Sequence, residues 1–120
     1  MDKFMIKRLK SFGYAFKGIA IFIRKEPNAW IHCSAVFFVT IMGIIYDITP
    51  MEWCVVCLCY GLVLGAEAFN SAIERLVDLV SPEYHPIAGK VKDIAAGAVL
   101  ICAISVAIVG LIIFIPYLFG

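Results

Sequence analysis

The chain has 120 residues and a mass of 13.3 kDa, a length that fits one domain at most because independent domains usually span about 100–200 residues. Hydrophobic residues make up 63% of it, mean hydropathy is +0.99 and charged residues supply only 16%, against roughly 25% in soluble domains; this composition is typical of a membrane protein. Three spans of about 20 residues leave only about 60 positions, too few for a conventional nucleotide-binding domain, and a net charge of +1 gives no reason to expect nucleic acid as a partner.

Residues 1–28 are predicted to form an amphipathic helix on the membrane surface. Apolar side chains recur there at steps of three and four, the spacing of one helix face: Met5, Leu9, Phe12, Phe16, Ile19 and Ile23. The first 25 residues hold seven of the ten Lys and Arg residues and one acid, Asp2. Basic amphipathic helices of this kind bind anionic lipid at the interface. We expect no cleavable signal peptide, because the basic start leads directly into the amphipathic pattern.

Three membrane-spanning helices are predicted, two from the uncharged runs 29–46 and 94–120 and one from an apolar run that begins near Trp53 and continues past Glu67. The helices that contain them are expected at residues 29–46, 53–80 and 92–118. The polar segment 47–52, which includes Pro50, is typical of a turn between spans, and the last span is expected to end near Pro116. The predicted fold class is therefore all-α: a single integral membrane domain over residues 1–120, with three transmembrane helices and an N-terminal amphipathic surface helix.

The orientation follows from the Lys and Arg residues near the span ends, since cytoplasmic loops carry an excess of them. The segment before the first span holds seven, the turn at 47–52 none, the stretch 75–93 three and the C-terminus none. We therefore expect the N-terminus and the stretch 75–93 in the cytoplasm and the C-terminus outside.

One face of the second spanning helix is unexpectedly acidic. Glu67 lies inside an apolar helix, where an unpaired charge costs about 2.5–3.5 kcal/mol. Asn70, Glu74 and Asp78 follow at steps of three, four and four, which places all four side chains within roughly 80° of the helix circumference, with Ser71 on the same side. One alternative is a polar seam that joins helices. Such a seam requires amides and hydroxyls but does not require three carboxylates.

Depth separates the acids into two predicted sites. Counting about 20 residues from Trp53 places Glu67 about 8 Å beneath the inner edge of the hydrocarbon, and Glu74 lies about 10.5 Å further along the axis, in the headgroup layer. The deep acid is placed to accept a proton from a lipid alcohol, and the shallow acid to meet a metal-phosphate complex from the cytosol. A phosphoryl group could pass between them.

The connector before the last span fits this idea. It contains Pro82 and Pro86, which favour extended or turn geometry. Lys92 can offer a charge to phosphate, although a lysine at a membrane edge also snorkels for structural reasons, and Asp93 is interpreted as an acid at a helix start. His32 and His85 are interpreted as interface or capping groups.

Taken together, these motifs resemble the prokaryotic diacylglycerol kinase family, which includes undecaprenol kinases. The likeness covers nearly the whole chain and rests on three strings: Glu67-Ala-Phe-Asn70-Ser71-Ala72-Ile73-Glu74 with Asp78, then Glu83-Tyr84-His85, then Lys92-Asp93. It implies a homotrimer with active sites shared between subunits, in the bacterial cytoplasmic (inner) membrane. The activity implied is transfer of the γ-phosphoryl of MgATP to the primary hydroxyl of diacylglycerol or, as the alternative, undecaprenol.

The resemblance also implies roles for individual residues. Glu67 is similar to the family's catalytic base, and Glu26 and Glu74 to its Mg²⁺ ligands. The nucleotide contacts would be Lys7, Tyr14, Lys17, Glu26, Glu74, Glu83, Tyr84, His85, Lys92 and Asp93. Glu67, Asn70 and Ala96 would contact the lipid, although the enterobacterial type carries Ser at position 96.

A rival from another class is a small proton-coupled transporter, in which one intramembrane carboxylate binds protons and cations. It accounts for Glu67 but not for Asn70, Glu74, Asp78 and Lys92 at the cytoplasmic face.

Overall fold

The structure is a computed structural model that describes residues 2–120. Over these residues the chain forms four helices: α1 (Lys3–Lys25), α2 (Pro27–Ile45), α3 (Pro50–Val80) and α4 (Pro86–Phe119). Helices α2, α3 and α4 are each long and apolar enough to cross a membrane. The predicted all-α class, with three spans after an N-terminal helix, is confirmed.

Local sequence explains where α1, α2 and α3 begin. The Asp2 side chain accepts from the Met5 N–H at 2.8 Å and caps α1. Glu26 ends α1 in an extended conformation, and Pro27 then starts α2 at a position where the missing N–H is not needed. Thr49 and Glu52 form a reciprocal capping box at α3, so α3 starts at Pro50 and not at residue 53.

Helix α4 starts at Pro86 and ends at Phe119, whereas the sequence predicted a helix over 92–118. The His85 side chain accepts from the Ile87 N–H at 3.1 Å, which caps the helix, and Pro86 occupies its first turn. Asp93 consequently lies inside α4, and its interpretation as a helix-start acid was wrong. Pro116 does not end the helix either, because α4 continues to Phe119.

The three spans pack with α3 between α2 and α4. Their shared apolar cluster lies at the end of the spans where α2 turns into α3 and is formed by Ile48, Val56, Ile113 and Phe114. Gly43 allows close packing there, because a Cβ at this position would lie 2.6 Å from the Trp53 ring. This apolar cluster holds the helices together at one end, and the buried polar groups Glu67, Asn70 and Ser71 lie toward the other end.

Helix α1 extends sideways from the three spans. The molecule measures 53 × 49 × 20 Å, and the 34 residues of α4 account for the first dimension at about 1.5 Å per residue. The second dimension exceeds the width of three helices packed about 10 Å apart, so α1 must supply the remainder. No residue of α1 is buried, as expected of a helix that lies on a membrane surface.

Candidate active site

Glu67 is buried between the spans. Its exposed fraction is 3%, and Asn70 and Ser71 on the same face of α3 are exposed by only 6% and 7%. A buried carboxylate is costly unless hydrogen-bond donors surround it. The predicted polar face of α3 is thus turned into the protein at the level of Glu67.

Three side chains contact the Glu67 carboxylate. Asn28 Nδ2 from α2 lies 3.4 Å from Oε1, and Asn70 Nδ2 from α3 lies 3.5 Å from the same oxygen. His32 Nε2, one turn beyond Asn28 on α2, lies 3.4 Å from Oε2. These distances are longer than the usual 2.7–3.2 Å for N–H donors to oxygen, so Glu67 is surrounded by donors without being tightly held.

Asn70 connects the deep acid to the shallow one. Its Nδ2 also lies 3.4 Å from Glu74 Oε1, so the Oε1 atoms of Glu67 and Glu74 are no more than about 7 Å apart, closer than the 10.5 Å spacing of their backbone. The amide nitrogen must face them because carboxylates only accept. Asn70 Oδ1 is then buried without a hydrogen-bond partner among residues 2–120. The Asn70 amide therefore contacts both acids through its nitrogen, and its oxygen stays available as an acceptor.

Among the described residues, two ion pairs lie nearer the C-terminal end of α3. Arg75 donates from Nε and from a terminal guanidinium nitrogen to Glu26 Oε1, at 3.1 and 2.9 Å. Lys92 Nζ donates to Asp78 Oδ1 at 2.5 Å. The first pair brings Glu26 next to the turn of α3 that carries Glu74. Within residues 2–120 no three Asp, Glu, His or Cys side chains are clustered as a metal site.

The α3–α4 connector encloses a cleft of about 150 Å³. Residues that line it include Asp78, Ser81, Glu83, Tyr84, His85, Gly89 and Lys92. His85 acts there as the cap of α4, which confirms the capping interpretation, and Ser81 Oγ donates to the Glu83 carbonyl at 3.0 Å. The cleft brings together four of the predicted nucleotide contacts. Asp93 is exposed on α4 and does not line it.

The single chain does not bring every predicted nucleotide or lipid contact to the end of the molecule that carries Glu67 and the cleft. Lys7, Tyr14 and Lys17 are exposed along α1, and Lys7 lies roughly 28 Å along the helix axis from the junction at Glu26. Ala96 is exposed on α4, whereas Ala95 next to it is buried.

A groove of about 430 Å³ between α3 and α4 adjoins Asn70. Residues on both helices line it, including Gly61, Gly65, Ala66, Ala95 and Ala98. Small side chains of this kind bring the two backbones close and leave open space beside them. An apolar chain in this groove would have its head near the unpaired oxygen of Asn70.

Asn28 and Arg75 were missed by the sequence argument, and His32 was interpreted as an interface or capping group without its partner being predicted. Asn28, His32 and Arg75 reach their partners across helices, over 39, 35 and 49 positions, and spacing along a single helix gives no sign of such contacts. Asn28 and His32 did carry a weak signal, because two polar residues four apart share one face of a helix in an otherwise apolar span.

Comparison with known proteins identifies the chain. The sequence profile described as "Prokaryotic diacylglycerol kinase" matches residues 13–114, most of the chain. The chain belongs to this family. The undecaprenol kinase of Bacillus subtilis (strain 168) is 40% identical over 109 residues, which cover 91% of this chain and 89% of that protein. The diacylglycerol kinase of Escherichia coli (strain K12) is 33% identical, covering 84% and 82%, and that of Helicobacter pylori (strain ATCC 700392 / 26695) is 34% identical, covering 78% and 79%.

Family membership confirms the predicted class of activity. The chain is a kinase with membrane-spanning helices that phosphorylates a lipid alcohol and uses ATP. The three relatives named above are kinases and none is a transporter.

Proposed function

We propose that the γ-phosphoryl of ATP is transferred to the primary hydroxyl of a membrane lipid at the inner end of α2, α3 and α4, with Glu67 as the general base. One observation carries this proposal: Glu67, exposed by 3%, is joined through the Asn70 amide to Glu74 nearer the cytoplasm. A lipid alcohol can reach the deep acid from the bilayer while a triphosphate reaches the shallow acid from the water.

Phosphoryl transfer requires little covalent chemistry from the protein itself. Phosphoryl transfer depends on positioning and charge neutralisation. Glu67 takes the hydroxyl proton as the lipid oxygen bonds to the γ-phosphorus, and the bond to the β-bridging oxygen breaks so that ADP leaves with the electron pair. Asn70 Oδ1 can accept a hydrogen bond from the hydroxyl before transfer. Ala96 offers no polar atom, so its contribution to lipid binding is limited to van der Waals contact.

Glu74 and Glu26 would hold Mg²⁺. This ion is usually bound by one or two carboxylates together with substrate phosphates and water, so the absence of a three-residue cluster does not conflict with it. Glu74 contacts Asn70, and Glu26 is held beside the same turn of α3 by Arg75, so both acids are proposed to lie at the cytoplasmic end. When bound, the ion would neutralise developing phosphate charge. Glu26 would then have to share or release Arg75.

The nucleotide is proposed to occupy the connector cleft. Glu83, Tyr84 and His85 border it, and Lys92 would exchange Asp78 for a phosphate. Asp93 lies on α4 one residue past Lys92 and does not line this cleft, so its proposed contact with the nucleotide would be made outside it.

We further propose a homotrimer with shared sites. Lys7, Tyr14 and Lys17 lie on a helix that leads away from the chain's own site, so their nucleotide contacts would be made with a neighbouring copy. The membrane is proposed to be the bacterial inner membrane, with the N-terminus and the site in the cytoplasm and the C-terminus outside, as the distribution of Lys and Arg favours.

Undecaprenol is the lipid best supported, with diacylglycerol as the second candidate. The sequence alone placed diacylglycerol first. The relative named undecaprenol kinase, however, is 40% identical to this chain over the aligned residues, against 33% and 34% for the two diacylglycerol kinases compared above. Purified protein supplied with MgATP and each lipid in turn would decide, by comparison of kcat/KM.

The role of Glu67 is tested by Glu67→Gln, which removes the base and keeps the shape. We expect lipid phosphorylation to fall by about 10²–10⁴-fold, the usual contribution of a general base, while ATP still binds. Glu52→Gln is the matched control, since it makes the same change on α3 at the outer end, and it should leave turnover near the wild-type value. Near-normal turnover of the Glu67 variant would refute the assignment.

A further inference from the structure

His32 contacts the proposed base and has no role in the reaction so far. Its Nε2 lies 3.4 Å from Glu67 Oε2, and the side-chain exposures of the two residues are 19% and 4%. The contact is therefore largely screened from water. Asn28 and Asn70 both contact the other oxygen, Oε1. Among the described residues, His32 is the side chain that contacts Oε2.

The unequal number of contacts at the two carboxylate oxygens of Glu67 matters for a general base. A carboxylate with donors at one oxygen can still turn about its last side-chain bond, because that torsion is broad and has no strong staggered preference. A donor at the second oxygen fixes the plane of the group. His32 is the side chain of α2 that is placed to supply that donor: its Nε2 lies 3.4 Å from Oε2, so a small movement of the carboxylate would bring the two atoms to hydrogen-bond distance.

His32 is placed to support the Glu67 carboxylate and is not placed to carry a proton from it to the cytosol. Helix α2 runs outward from Asn28, so His32 contacts Glu67 from the side of the bilayer centre, whereas Asn70 and Glu74 lie on its cytoplasmic side. Beyond His32 lies an apolar cavity of about 300 Å³ among all three spans, bordered by Tyr60, Val63 and Ala103. A proton passed to His32 would face this cavity and not the cytosol.

We propose that His32 is a positioning residue for the reaction, in which Nε2–H donates to Glu67 Oε2 and holds the carboxylate plane while Oε1 meets the substrate. This rests on the proposed role of Glu67. In this arrangement the lipid proton moves to Glu67 and His32 keeps its own proton throughout. Its contribution therefore falls on kcat, because the lipid and the nucleotide bind through other residues.

Two amide variants test this without a large change in polarity. The amide nitrogen of Gln can reach the place of Nε2, whereas Asn is one methylene shorter and reaches only as far as Nδ1. We expect His32→Asn to lose about 10²-fold in kcat, the cost of misplacing a reacting group by about 1 Å, with the KM values for lipid and ATP nearly unchanged. His32→Gln should recover most of that rate.

Thr40→Val provides the control for helix packing. Thr40 Oγ1 makes a 2.7 Å hydrogen bond to the Tyr60 hydroxyl, which is also a polar contact between α2 and α3 but lies two turns beyond His32. Its loss should leave kcat near the wild-type value. Equal kcat values for His32→Asn and His32→Gln, or an equal loss in Thr40→Val, would overturn the proposal. An active Glu67→Gln would instead refute the proposed function, so the two failures are distinguishable.

Discussion

Replacing Asn70 by Asp tests whether one amide holds the two acids together. The change keeps the shape of the side chain but places a carboxylate where an amide nitrogen now lies 3.5 Å from Glu67 Oε1 and 3.4 Å from Glu74 Oε1. At an effective dielectric constant of about 20, each of these contacts would become about 5 kcal/mol of repulsion. The cluster can relieve it only by binding a proton or by moving apart, and either response removes a correctly placed base.

We therefore expect Asn70→Asp to phosphorylate lipid about 10²–10⁴-fold more slowly than the wild type and to lose at least about 1–3 kcal/mol of unfolding free energy, the cost of an unsatisfied buried group. Radiolabel transfer from ATP to extracted lipid measures the first effect, and thermal unfolding in detergent micelles the second. Asn28→Asp is the matched control, because Asn28 is exposed and contacts Glu67 alone, so water screens the new charge. Turnover of Asn70→Asp within tenfold of the wild type, or an equal loss in Asn28→Asp, would refute this reasoning.

Two further predictions concern the packing beside the apolar cluster near the turn between α2 and α3 and the proposed Mg²⁺ site. Gly43→Ala should destabilise the protein by about 1–3 kcal/mol, since its Cβ would lie 2.6 Å from the Trp53 ring. Gly61→Ala is the control and should not lower the unfolding midpoint, because nothing lies within 4 Å of its Cβ. Equal midpoints for the two variants would contradict the packing argument. Glu74→Gln should raise the Mg²⁺ concentration for half-maximal activity at least about tenfold, or roughly 1.4 kcal/mol; an unchanged titration would count against Glu74 as a ligand, and chelation of Mg²⁺ should abolish turnover in the wild type.

The spans were predictable because lipid imposes a simple rule on the sequence. A charge-free run of 18 residues or more has few alternatives to a spanning helix, and the steps of three and four from Glu67 to Asp78 define one face of α3 without tertiary information. The start of α3 was also readable in principle, since Thr49 and Glu52 have the spacing of a capping box. The polar character of the same segment instead led to the prediction of a turn through residue 52.

The contacts around Glu67 could not be predicted in the same way. Which residue of α2 meets Glu67 depends on the rotation and depth at which two helices pack, and these depend on contacts such as the one between Gly43 and the Trp53 ring, near the turn between α2 and α3. The pairing of Arg75 with Glu26 depends likewise on where α1 turns into α2. Such quantities belong to the packed molecule, and no periodicity within one helix encodes them.

The exposure of the spans has a consequence for how substrate arrives. Only 11%, 28% and 6% of the residues in the apolar windows of α2, α3 and α4 are buried within the chain, and the groove beside Asn70 is open at its side. A lipid therefore need not leave the bilayer to meet Glu67, the proposed base, because it can diffuse in laterally, and its phosphorylated product can depart by the same route. Turnover in vesicles should accordingly follow the mole fraction of the alcohol among the lipids and not its amount per volume of solution.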